Sequence, residues 1–77
     1  MITDKSVISI IRDMYPTTEI SSDTQLLAEG ILDSLGIMNL SIKLKEIYKV
    51  EINIFDITPE NYSTPITIAE MINKKSQ

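Results

Sequence analysis

The chain has no cysteine and no histidine. Without cysteine, neither disulfides nor thiolate metal sites are open to it. Without histidine, it lacks the commonest general base and metal ligand. No apolar run approaches the roughly 20 residues of a membrane-spanning helix, and Met1-Ile2-Thr3-Asp4-Lys5 lacks the basic-then-apolar layout of a signal peptide. A cytoplasmic location with no transmembrane segment is therefore expected. Positive charge is scarce too, with no basic residue between Asp13 and Leu40. The net charge of −4 argues against a nucleic-acid partner and points toward partners with basic surfaces.

What is present is enough for one small domain, residues 1–77, in which 43% of the residues are hydrophobic. A chain of this size buries only about 60–65% of its unfolded surface, so a core is attainable but a deep substrate cavity beside it is hard to accommodate. Thr3 caps a first predicted helix over residues 4–14, with Val7, Ile8, Ile11, Met14 and Tyr15 as its apolar stripe. Asp4 favours its start, and Pro16 ends it. Residues 16–33 show no periodicity and are acidic, with Glu19, Asp23, Glu29 and Asp33. A loop this long in a small domain is usually functional or pinned down. Leu26, Leu27, Ile31 and Leu32 supply the pins, and Gly30 permits a tight turn or a positive φ.

A second helix is predicted over residues 34–49, and it has two apolar faces. Leu40, Leu44, Ile47 and Tyr48 cluster on one side with Ile37 close by; Leu35, Met38 and Ile42 lie nearly opposite. Either the helix is covered on both sides, or the second strip is exposed for a partner. Met38 suits a contact surface because its side chain is adaptable. Residues 50–55 alternate as a strand would, but no second strand is available to pair with them. An extended connector is predicted instead, with Val50, Ile52 and Ile54 plugging the core. Thr58-Pro59 opens a short turn of helix over residues 58–62. Ser63-Thr64-Pro65 opens the last helix, residues 65–74, with Ile66, Ala69 and Ile72 buried and Ile68 and Met71 beside them. The fold class that follows is an all-α, small four-helix bundle: three main helices, one short helix, and a long loop between helices 1 and 2.

Autonomous catalysis is not expected. Ser34 has Asp33 beside it but no histidine and no nearby lysine, and adjacent residues at a helix start point different ways. The remaining carboxylates scatter over loop and surface, so neither a catalytic residue nor a metal ligand stands out. Asp33 and Ser34 are both good helix N-caps. Equally, a hydroxyl at a helix N-terminus lies among unpaired N–H groups, where an attached phosphate would be stabilised.

Gly30-Ile31-Leu32-Asp33-Ser34-Leu35, following Asp23-Thr24-Gln25-Leu26-Leu27 and leading into a long helix, closely resembles the acyl carrier protein family, aminoacyl and peptidyl carriers included. The resemblance spans nearly the whole chain, and residues 50–52, 57–62 and 68–72 are similar to carriers of the aminoacyl type. It implies that a phosphopantetheinyl transferase moves 4′-phosphopantetheine from coenzyme A onto Ser34, with Asp33 assisting. It also implies that the arm's thiol holds an acyl or aminoacyl group as a thioester. Leu35, Met38 and Ile42 match the positions where carriers meet partner enzymes. Those partners would be an adenylating ligase or acyltransferase that loads the carrier and a downstream acceptor or condensing enzyme, served in trans by a monomer.

Fatty-acid carriers typically place acidic residues two and five positions after the serine. Gly36 and Asn39 stand there in this chain, and Lys43, Lys45 and Lys49 outnumber Glu46 further along. A specialised pathway, in secondary metabolism or cell-envelope modification, is therefore expected ahead of fatty-acid synthesis. Glycine directly after Asp-Ser-Leu resembles the D-alanyl carriers of cell-wall teichoic acid modification. The alternative of another class is a non-modified helical interaction module, in which Ser34 is merely a cap and the Leu35, Met38 and Ile42 strip binds a partner.

Overall fold

The computed structural model describes residues 1–76; Gln77, the last residue of the single domain expected over 1–77, lies outside the described residues. Helix α1, Asp4–Met14, starts where Thr3 leaves the helical region and its side chain accepts the Ser6 N–H. Asp4 in its first turn and Arg12 in its last both complement the helix dipole. Val7, Ile10 and Ile11 are buried, while Ile8, Met14 and Tyr15 are half-buried against the same core. Tyr15 closes the helix, donating its N–H to the Ile11 carbonyl at 2.9 Å. The N-terminus is tied across the molecule to α3, Pro65–Lys75: the Ile2 N–H donates to Asn73 Oδ1 at 2.8 Å, and Asn73 Nδ2 donates to the Ile2 carbonyl at 2.9 Å. Accordingly α1 lies mainly on α3 and touches α2 little.

The long loop is pinned as its apolar residues require. Ile20, Leu26 and Leu32 are buried, and Leu27 and Ile31 pack at the core's edge. Leu26 donates its N–H to the Ser63 carbonyl at 2.8 Å, and Ile66 donates to the Ser22 carbonyl at 3.3 Å. These two bonds stitch the loop to the start of α3. Gly30 turns the chain with φ +73°, a conformation that costs glycine nothing and other residues about 1–2 kcal/mol.

Helix α2, Ser34–Tyr48, buries Gly36, Leu40, Ser41 and Leu44. Ile37 and Tyr48 are half-buried, but Ile47, expected in the core, is 53% exposed. Its helical angle is right for the core, yet nothing covers its side chain among the described residues. Angle alone cannot reveal whether a neighbour covers a position. Lys49 ends the helix in the left-handed region, φ 57° and ψ 41°.

The connector also departs from its prediction. Ile52 is buried and Val50 half-buried, but Ile54 is 78% exposed. Asn53 Oδ1 accepts the Phe55 N–H at 2.9 Å, and Asp56 Oδ2 accepts the Asn53 N–H at 3.0 Å. This reciprocal capping winds Ile54–Asp56 into a one-turn 3-10 helix, which breaks the alternation and rotates Ile54 outward. The short helix therefore lies at Ile54–Asp56. The expected one at residues 58–62 is a single turn, held by the Tyr62 N–H on the Thr58 carbonyl at 3.2 Å. Lys75 Nζ reaches Asp56 Oδ2 at 2.6 Å and fastens the 3-10 helix to the end of α3.

In α3, Thr64 and Thr67 cap each other, each N–H donating to the other's hydroxyl at 3.1–3.2 Å. The buried stripe is Pro65, Ile68, Ala69 and Ile72, with Met71 beside it, a regular i, i+3, i+4, i+7 pattern. Ile66 lies off that stripe and is 42% exposed, contrary to its predicted place. The described residues thus form an all-α bundle of three helices and a 3-10 turn.

Candidate functional site

Asp33 and Ser34 sit at the corner where the loop becomes α2. Asp33 is the N-cap in extended conformation, and its Oδ1 accepts the Gly36 N–H at 2.7 Å. The Asp33 carbonyl accepts the Ile37 N–H at 2.9 Å. Ser34 is therefore the first helical residue, not the cap. It is exposed, and among the described residues its hydroxyl has no hydrogen-bond partner. The N–H groups of Ser34 and Leu35 likewise have no acceptor there, as expected of first-turn donors. No acidic residue stands in that first turn. An exposed hydroxyl, two unpaired N–H groups and the positive end of a 15-residue helix form a site that favours an anionic group on Ser34 Oγ.

Two features extend from this corner. Leu35, Met38 and Ile42 are 68%, 59% and 51% exposed, so of the two arrangements open to the second apolar face, the exposed strip is the observed one. The other feature is an open cleft of about 430 Å³ that starts at Ser34 and runs between α2 and the connector. Ile37 and Met38 line one wall; Ile52, Ile54 and Ile57 line the other, with Asn53 among them. Met38 belongs to both features. Sequence reading missed the second wall because it assigned Ile54 to the core. The signal was present: Asn53 and Asp56 are spaced three apart, as reciprocal caps are. Exposed Phe55, on the same 3-10 turn, was missed for the same reason.

On comparison with curated proteins, the chain is 29% identical over 70 residues to a D-alanyl carrier protein of Enterococcus faecalis, covering 88% of this chain and 90% of that protein. It is 31% identical over 52 residues to D-alanyl carrier proteins of Bacillus mycoides and Bacillus cereus, covering 68% of this chain and 66% of each relative. No protein-family model matches the chain, and no solved structure gives a significant match. These relatives are themselves carriers and are matched over most of their length. The chain belongs to the acyl carrier protein family.

Proposed function

We propose that this protein carries an aminoacyl group, D-alanyl as in its named relatives, on a 4′-phosphopantetheine arm attached to Ser34. Delivery is in trans, from an adenylating ligase to an acceptor that modifies the cell envelope. The observation that carries this reading is the division of labour at the corner. Asp33 takes the capping role, which leaves the Ser34 hydroxyl exposed and unpartnered, as an attachment point for another enzyme must be.

The residues present fit the group. Ser34 Oγ would hold it covalently, and the Ser34 and Leu35 N–H groups would stabilise its phosphodiester charge by about 0.3–1 kcal/mol. The arm, when bound, supplies a terminal thiol that carries the cargo as a thioester, the sulfur chemistry a chain without cysteine cannot supply itself. The second carboxylate oxygen of Asp33 remains available beside Ser34 to assist the transferase, since only Oδ1 is engaged by Gly36. Leu35, Met38 and Ile42 provide the apolar contact for partners. The absence of an acid from the first turn makes that docking less dependent on charge than on apolar burial.

Intact mass after incubation with a broad-specificity phosphopantetheinyl transferase and coenzyme A tests the attachment. The wild-type chain should gain one pantetheinyl group, and Ser34→Ala should gain none while retaining a cooperative thermal transition. Asp33→Ala, which removes the cap, should cost about 0.5–2 kcal/mol, whereas Ser34→Ala should be nearly neutral in stability. Mass gain in the Ser34→Ala variant would move the site elsewhere. No gain in the wild type would favour a non-modified interaction module, and efficient use by fatty-acid ketosynthase would favour a fatty-acid carrier.

A further inference from the structure

Nothing holds the Ser34 hydroxyl itself, so its place depends on the backbone of the first turn of α2. That turn is fixed from below at Gly36. Gly36 is buried, and a Cβ built on it would lie 2.5 Å from Tyr15 Oη, 3.2 Å from Asp33 Oδ1 and 3.4 Å from Leu32 Cδ2. Those three atoms come from the end of α1, the cap of α2 and the end of the loop, so Gly36 is where three segments meet. The Tyr15 contact is the closest of the three. Carbon atoms pack at about 3.5–4.0 Å, and only a residue with no side chain lets the phenol approach this near.

Tyr15 is the C-cap residue of α1 and lines the cleft between the end of α1 and α2 with Met14, Asn39 and Ile42. Although α1 lies mainly on α3, Tyr15 reaches Gly36 and so ties the end of α1 to the start of α2. The ring is rigid and can give way only by swinging as a whole. A side chain at position 36 would have to push the ring out or push the first turn, carrying Asp33 and Ser34 with it.

We infer that Tyr15 and Gly36 are positioning residues for the modification of Ser34, the phenol seated on the glycine setting where the Asp33–Ser34 corner presents its hydroxyl. The inference rests on Ser34 being the attachment point. Neither residue touches the reacting atoms. Their effect is on alignment, for which a displacement of about 1 Å can cost about a hundredfold in rate.

The test is steady-state kinetics of pantetheinyl transfer from coenzyme A onto the full chain, with a thermal melt on each variant. Gly36→Ala should lower kcat at least about tenfold while changing KM by less than about threefold. A merely structural defect would instead reduce the folded fraction and raise the apparent KM. Adding Tyr15→Phe to Gly36→Ala removes the obstructing oxygen and should bring kcat back to within about threefold of wild type. Should Gly36→Ala fail to fold, Tyr15→Ala with Gly36 intact keeps the question open to test, since loss of the seat should also lower kcat. A Gly36→Ala chain modified at the wild-type rate, a double variant as slow as the single one, or a Tyr15→Ala chain with unchanged kcat overturns the inference. A wild-type chain that gains no mass would instead sink the attachment reading itself.

Discussion

Replacing Ser41 by alanine should destabilise the fold more than replacing Tyr62 by phenylalanine, although each change breaks the same hydrogen bond. Tyr62 is fully buried and Ser41 is 5% exposed, and their hydroxyls lie 2.6 Å apart. Ser41 Oγ also donates to the Ile37 carbonyl at 2.7 Å. A serine hydroxyl has one proton, so the phenol must be the donor to Ser41 Oγ. Tyr62→Phe removes a donor and leaves Ser41 still bonded to Ile37, costing about 0.5–1.5 kcal/mol. Ser41→Ala strands a buried phenol O–H without an acceptor, a penalty of about 1–3 kcal/mol. The higher helix propensity of alanine offsets that by about 0.5 kcal/mol. The double variant removes both partners, so its loss should fall below the sum of the two by about 1 kcal/mol or more. Urea unfolding followed by circular dichroism, with unchanged m-values, reads all four corners of the cycle. If Ser41→Ala costs no more than Tyr62→Phe, the assigned donor direction is wrong; if the two losses simply add, the two hydroxyls are not coupled. Burial pushes the Tyr62 phenol above its ordinary value, which agrees with a phenol that keeps its proton.

Three other outcomes follow from the packing. Leu44→Ala should cost about 2–5 kcal/mol, whereas Ile47→Ala, at an exposed position, should stay within about 0.5 kcal/mol; urea midpoints distinguish them. Lys49→Gly should stabilise the chain by about 0.5–1 kcal/mol, because the left-handed cap strains any residue with a Cβ; a lower urea midpoint would refute that. The Lys75 ammonium, followed by the Asn53 N–H, holds the Asp56 carboxyl below the ordinary aspartate value of 3.8. Since the unfolded chain has the higher value, this stabilisation is complete above it and is lost as the pH falls through the lower folded one. Lys75→Met should therefore lose less melting temperature on acidification from about pH 5 to 2 than the wild type; parallel curves would show that the pair contributes nothing.

The Asp33–Ser34 corner was legible in the residues because its determinants are local. The loop carries no periodicity, the helix begins with a capping residue type, and leucines flank both sides. From the residues alone the roles of Asp33 and Ser34 are exchangeable, since either side chain can cap. The backbone decided it, by giving Asp33 the extended conformation and directing its Oδ1 to Gly36. The exposed Leu35, Met38 and Ile42 strip was one of two arrangements consistent with the pattern, and only the absence of a covering helix selected it.

What the amino-acid sequence determined by itself is whatever depends on neighbours a few residues apart: where α1 and α3 start, that Pro16 ends α1, and that residues 16–33 stay irregular but pinned. It also carried the Asp33-Ser34-Leu35 stretch on which the resemblance to carriers rests. Tertiary structure decided the rest. Ile47 has a plausible core angle yet faces solvent, because burial needs a second element and the pattern of one helix does not record it. Ser41 is a polar residue in the core, satisfied there because its partner Tyr62 arrives from a distant turn. Gly36 looks like a weak point in a helix, and its reason is the phenol of Tyr15, brought to it by the return of the whole intervening loop. Contacts between residues far apart in the chain exist only once the bundle has closed, so no local pattern could have contained them.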